Sequence, residues 1–116
     1  MERRAHPRYR CPDLVAMVRD PAASLDYYFK VVDVSIGGLA LVASDPGAFP
    51  FKVDSVLDIQ VFTSRGILVC RGVVARIIPE GPDSLRGFGI RLYSFPTGDE
   101  PRWQALVEEF SKRSQP

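Results

Sequence analysis

The sequence predicts a mainly β protein: a small antiparallel barrel or sandwich of about six strands, with one C-terminal α-helix packed on it. Three observations predict it. Short runs rich in aromatic and β-branched residues recur between Leu14 and Tyr93. Clusters of Pro, Gly, Asp and Ser separate those runs. Beyond Gly98 the apolar period changes from the 2 of a strand to the 3.6 of a helix.

Leu14–Arg19 is the first strand and ends at the turn-forming Asp20-Pro21-Ala22-Ala23-Ser24. Asp26–Val34 is the second, with Tyr27, Tyr28, Phe29, Val31 and Val32. Gly37-Gly38 interrupts, and Leu39–Val42 resumes before a loop marked by Asp45-Pro46-Gly47 and Pro50. In Val56–Thr63, Leu57, Ile59 and Val61 form one apolar face, while Phe62 implies that the other is partly covered. Arg65-Gly66 reads as a tight hairpin turn. Ile67–Ile78 is the longest strand. Arg71 and Arg76 are five residues apart, which in a regular strand directs them to opposite faces, and Gly72 between them marks a bulge. After the loop Pro79-Glu80-Gly81-Pro82-Asp83, Arg86–Tyr93 places Phe88, Ile90 and Leu92 on one face and Arg91 and Tyr93 on the other. Trp103, Leu106, Val107 and Phe110 then form a helical stripe over about residues 98–113. Thr97 or Asp99 suits its start, and Lys112 and Arg113 suit its end. The stripe predicts a helix that lies against the barrel and covers an opening or an edge.

Composition narrows the function. A chain of 116 residues is the length of one domain, divided here into a flexible leading segment (1–12) and a barrel with its helix (13–116). Lys and Arg number 15 against 14 Asp and Glu, so no bulk charge serves a polyanion. Residues 1–10 nevertheless hold four arginines against one glutamate, and the rest of the chain sums to −2. Two cysteines without CxxC spacing and one histidine argue against a zinc site. No apolar run is long enough for a membrane span, and the charged opening carries no signal-type core, so a reducing cytoplasmic setting is expected. There is no HExxH, GxSxG or P-loop pattern, and His6 sits among arginines with no nucleophile beside it, so no enzyme is predicted. Cys70 reads as a core residue, and Cys11, after Arg10, as the more accessible thiol.

Two short pieces stand out. Arg4-Ala5-His6-Pro7-Arg8 is an RxxxR. Asp33-Val34-Ser35-Ile36-Gly37-Gly38 is a DxSxxG. Singly, the first reads as a basic terminus. The second reads as a hairpin in which Asp33 or Ser35 bonds the backbone and Gly38 takes a positive φ. Their order and spacing ahead of a predicted six-stranded unit make a sharper pattern.

That combination resembles the PilZ domain, the bacterial receptor module for cyclic di-GMP. The resemblance covers essentially the whole chain, with no departure at a motif position. Arg71-Gly72-Val73-Val74-Ala75-Arg76 and Gly87-Phe88-Gly89-Ile90-Arg91-Leu92 look like the family's closing strands. It implies a six-stranded antiparallel barrel with a C-terminal helix. It also implies a receptor and adaptor whose ligand is cyclic di-GMP, with no other cofactor. Arg4 and Arg8 would fork onto phosphate oxygens or guanine edges. Asp33, acceptor-only, would take the N–H groups of guanine and reject adenine. Ser35 would offer its hydroxyl, and Gly38, with Gly37, a close backbone approach. Arg3 and His6 stand beside these, and Arg3 would help hold a second, stacked ligand copy if two are bound. Ligand would order the leading segment, and an effector protein would read the change, with the receptor a monomer or a ligand-dependent dimer. Two other readings remain. One is a PilZ-like interaction module that binds no nucleotide. The other is a small nucleic-acid-binding barrel using the basic terminus with Tyr27 or Tyr93, against which the near-neutral charge argues.

Overall fold

Alternation of inward and outward side chains, broken at bulges, shapes seven strands, and one helix follows them, in the computed structural model, which describes residues 7–11, 13–21, 25–43, 51–78 and 87–113. The strands are β1 (Tyr9–Arg10), β2 (Val15–Arg19), β3 (Asp26–Ser35), β4 (Gly38–Val42), β5 (Val56–Thr63), β6 (Gly66–Ile78) and β7 (Gly87–Ser94), followed by α1 (Glu100–Arg113). All pairings are antiparallel. The order β3-β2-β5-β6-β7-β4 closes through a β3–β4 pairing into a six-stranded barrel. Closure leaves the barrel strands without a long open edge. The hairpin between β5 and β6 turns at Ser64-Arg65, and Gly66, at φ 114°, opens β6 opposite Thr63.

The seventh strand, β1, has no counterpart in the sequence pattern. β3 is ten residues long, and β2 covers only its first half, from Asp26 to Lys30. Tyr9 and Arg10 take up the remaining edge, opposite Val34 and Asp33, and the Cys11 N–H donates to the Val32 carbonyl at 3.2 Å. Backbone groups left without partners there would carry a desolvation penalty. Tyr9 packs on the core while Arg10 faces out. Cys11 is fully buried, contrary to the accessibility its position suggested. Burial first, and then the negative charge of Asp33, push its thiol up to about 12, so it stays protonated and inert at neutral pH.

Two irregularities decide which residues face out. Val31 pairs with Leu41 but Asp33 pairs with Ala40, so Val32 is an extra residue in β3. Val74 pairs with Ile90 but Arg76 pairs with Gly89, so Ala75 is an extra residue in β6. Each bulge inverts the alternation beyond it. Val31 and Val34 therefore both point inward, and Asp33 points outward between them. In the same way Arg71 and Arg76 share the outer face, where regular alternation over their five-residue spacing predicts opposite faces. At Arg71–Gly72 the extra residue is Tyr93, in β7, so the irregularity near Gly72 lies on the partner strand.

The core rows follow from the register. Val34, Leu39, Ile90 and Val74 lie in line across β3, β4, β7 and β6, all buried. At the end of the barrel where β3 and β6 meet their outer loops, Tyr27, Phe29, Phe51 and Phe88 pack together, with Phe29 and Phe88 edge-to-face at 5.0 Å. The opposite end, where β3 ends and β6 begins, is closed by α1, which buries Trp103, Val107 and Phe110.

Three contacts dock that helix. The Trp103 Nε1–H donates to the Ser35 carbonyl at 3.0 Å. Asp99 occupies the cap position, its carbonyl accepting the Trp103 N–H at 2.9 Å, but its carboxylate is spent elsewhere. It accepts from the Val69 N–H (3.0 Å) and the Thr97 hydroxyl (2.9 Å), and pairs with Arg102. Arg102 in turn donates to the carbonyls of Ile67 and Arg65. β7 pairs no further along β6 than Arg71, so Asp99 and Arg102 replace a strand along the edge of β6 that β7 leaves bare.

These contacts set two expectations. Trp103→Phe keeps the ring but leaves the buried Ser35 carbonyl without its donor, and should lower stability by about 1–3 kcal/mol in urea unfolding, with an unchanged m-value. The second concerns pH. Val69 foremost, then Thr97 and Arg102, hold the Asp99 carboxyl below the usual carboxylate range, and Arg19 does the same for Asp26. Lowered folded pKa values mean stability that is fully present above the unfolded value, about 3.9, and lost as pH falls through the folded ones. Asp99→Asn should therefore flatten the acid limb of a Tm–pH curve, leaving the smaller slope due to Asp26.

Candidate functional site

The outer face of β3, β4, β7 and β6 carries a shallow trough, and the register explains its shape. Two rows point outward. Across β1, β3, β4, β7 and β6 the first runs Arg10, Asp33, Ala40, Gly89, Arg76. Across β3, β4, β7 and β6 the second runs Ser35, Gly38, Arg91, Val73. The middle positions are small (Gly38, Ala40, Gly89), so they make a floor. Longer polar side chains stand at either side.

A cleft of about 400 Å³ opens over this floor, lined by Arg8, Ser35, Gly37, Gly38, Leu39, Ala75, Arg76, Gly89, Ile90, Arg91 and Leu92. Its volume is within the roughly 300–1,000 Å³ of small-molecule sites. Among the described residues the lining holds three arginines and no carboxylate, so it favours an anion.

The structure brings most of the two sequence motifs together here. Arg8, the last residue of RxxxR, reaches the cleft because β1 pairs with the end of β3, which brings the residues just before it beside Ser35. Ser35, Gly37 and Gly38 line it from the β3–β4 corner. Asp33 is not in the lining. It stands half-buried in the adjacent outward row, and makes no hydrogen bond or ion pair to another described residue. Its carboxylate keeps its acceptor capacity for a ligand. Arg3, Arg4 and His6 lie outside the described residues.

The corner itself differs from an ordinary glycine turn. Gly38 does not take a positive φ; among the described glycines only Gly66 and Gly98 do. Its lack of a side chain serves β7 instead. A Cβ there would drive into the Ile90 carbonyl oxygen and crowd the Ile90 carbonyl carbon at 3.2 Å. The Gly37 carbonyl accepts the Leu92 N–H at 2.9 Å, which ties the corner to β7. The Ser35 hydroxyl donates to the Gly38 carbonyl at 3.3 Å, long for such a bond and readily exchanged for a better acceptor. Ser35 is also the residue whose carbonyl receives Trp103, so the cleft and the helix share one residue.

Arg10, Arg76 and Arg91 belong to neither motif, and the sequence pattern places Arg76 and Arg91 only on strands, not beside the motif residues. The signal that finds them is pairing register, which requires knowing where Val32 and Ala75 bulge. Among the described residues no group of three or more His, Cys, Asp or Glu is placed to hold a metal ion, and no helix is long and apolar enough to cross a membrane.

Comparison with curated proteins finds no match. Among solved structures, the fold is similar to the inhibitor of motility MotI/DgrA of Bacillus subtilis, with a TM-score of 0.80 and 16% identity over 100% of this chain and 55% of that one. It is similar to the structure described as the PilZ domain with c-di-GMP of YcgR from Escherichia coli, with a TM-score of 0.75 and 14% identity over 97% and 95% of the two chains. The K. pneumonia MrkH–c-di-GMP complex is similar at a TM-score of 0.78 and 20% identity, over 99% of this chain and 56% of that one. The chain thus spans nearly all of the YcgR domain and about half the length of the other two. At these identities the structural likenesses establish the fold. The family is established by the sequence model for the PilZ domain, which matches residues 2–109, so a barrel closed by β3 and β4, a helix over one end and Arg8 meeting Ser35 and Gly38 at one corner are those of a chain that belongs to the PilZ domain family.

Proposed function

We propose that this PilZ domain binds cyclic di-GMP in the cleft at the β3–β4 corner and acts as a receptor and adaptor in a cytoplasmic setting. The observation that carries the reading is the meeting of Arg8 with Ser35, Gly37 and Gly38 around one anion-favouring cleft, with Asp33 on the same outer face. The YcgR and MrkH structures, whose names include c-di-GMP, support the choice of ligand.

Each part has a chemical task. Arg8, with Arg4 ahead of it, forks onto phosphate oxygens or onto the O6 and N7 of a guanine. Asp33 accepts from the guanine N1–H and exocyclic amine, which adenine does not offer in that place. Ser35 turns its hydroxyl from the Gly38 carbonyl to the ligand. The leading segment is drawn onto the corner by these contacts, and the surface so formed is what an effector protein reads. Because Ser35 also holds Trp103, the same event reaches α1.

Titration calorimetry of the full chain should give guanine-selective binding, with cyclic di-AMP far weaker. Arg8→Ala and Asp33→Ala should each lower affinity about tenfold to a hundredfold, the worth of a charge-assisted hydrogen bond, while circular dichroism shows an unchanged fold. A folded protein indifferent to both cyclic dinucleotides would point to an interaction module, and strongly salt-dependent oligonucleotide binding to a nucleic-acid barrel.

A further inference from the structure

The side chains of Arg76 and Arg91 have no hydrogen-bonding or ionic role among the described residues. Both are exposed, and neither makes a hydrogen bond or ion pair to another described residue. Four arginines of the barrel wall and helix are engaged, Arg19 with Asp26, Arg71 with Asp58, Arg102 with Asp99 and Arg113 with Glu109, whereas the side chains of Arg76 and Arg91, like those of Arg10 and Arg65 outside the cleft lining, are not paired with a described residue. Two cations on neighbouring strands, with no partner among the described residues and no carboxylate among the described residues of the cleft lining, repel each other unless an anion joins them.

The local structure is arranged to present them. The Ala75 bulge turns Arg76 outward. Gly89, directly opposite, lacks the Cβ that would come within 3.0 Å of Arg76 Nε and 3.2 Å of its Cγ, so the guanidinium stem lies flat across the floor. Arg91 stands opposite Gly38, one strand from the corner. Strand spacings of about 4.8 Å put Arg76 roughly 14 Å from Asp33, three strands away, and Arg91 roughly 10 Å from Ser35, two strands away. A ligand held at the motif corner alone would leave that far wall empty.

We infer that Arg76 and Arg91 form a second anion-binding half of the cleft, which takes a phosphate group distinct from the one Arg8 takes, and that Gly89 is the positioning residue for Arg76. The site is thus built for a ligand with two separated phosphates. This rests on the proposed reading for the identity of the ligand, cyclic di-GMP, though not for the placement of the two arginines.

The test is calorimetry with cyclic di-GMP on the full chain and its variants. Arg76→Ala and Arg91→Ala should each weaken binding about tenfold or more without lowering the Tm of the free protein, and Arg76→Lys, which keeps the charge but loses the fork, should weaken it less. Gly89→Ala should weaken binding in the wild-type background and add nothing to Arg76→Ala, a coupling that a merely structural glycine would not show. If the chain binds and Arg8→Ala disrupts it while Arg76→Ala and Arg91→Ala do not, the inference is overturned and the receptor reading survives. If the chain binds no cyclic di-GMP, the receptor reading fails, and pyrophosphate becomes the probe, followed by the side-chain Nε–Hε signals of Arg76 and Arg91 in NMR. Saturable shifts at both sustain the two-anion site, and their absence ends it.

Discussion

An extra residue in a strand reverses the facing of every side chain beyond it, and two such residues govern this molecule. Without Val32 as an extra residue in β3, Asp33 would point into a core of Val31, Val34 and Leu41, and Val34 would point to water. Without Ala75 as an extra residue in β6, Arg76 would be driven inward beside Val74. Burying either charge without a partner costs several kcal/mol, so the bulges are what allow strands with polar residues at those positions to close a barrel at all. The trough and the core are two sides of the same register.

The close approach of β4 and β7 is the second requirement. β4 joins β3 to β7 and so completes the cylinder. At Gly38 the two backbones are nearer than any side chain permits. The glycine that ends DxSxxG is thereby a closure residue as well as part of the cleft lining, and the two places do not compete. Strands drawn together there leave a floor low enough for a ligand to lie on. Ser35 has a comparable double place, with its hydroxyl toward the corner and its carbonyl under Trp103. A change in the cleft therefore meets the helix through one residue, with no long chain of contacts between.

Legibility varied with the kind of physics involved. The barrel strands from β2 to β7 were readable to within a residue or two because each buries one face, and alternation records that directly. The helix was readable because Trp103, Val107 and Phe110 keep its period. β1 was not, since two residues carry no period; Tyr9 and Arg10 are a strand only because β3 outruns β2. Cys11 was misread for the same reason, as its burial depends on that pairing. Asp99 was readable as a cap by residue type, but the use of its carboxylate on Val69 was not, because the bare edge of β6 exists only once β7 has ended.

The motif residues of the candidate site were visible as letters and spacing, because Arg, Asp, Ser and Gly have chemistries that survive without a context. Which of them meet was a matter for pairing: Arg8 with Ser35, Asp33 one row away, and Arg10, Arg76 and Arg91 added from strands bearing no motif. Alternation along a chain is a local property, set by which side chains avoid water. The alignment of one strand against the next is non-local, set by bulges, close glycine contacts and the need to satisfy each backbone edge, and only the folded barrel resolves it.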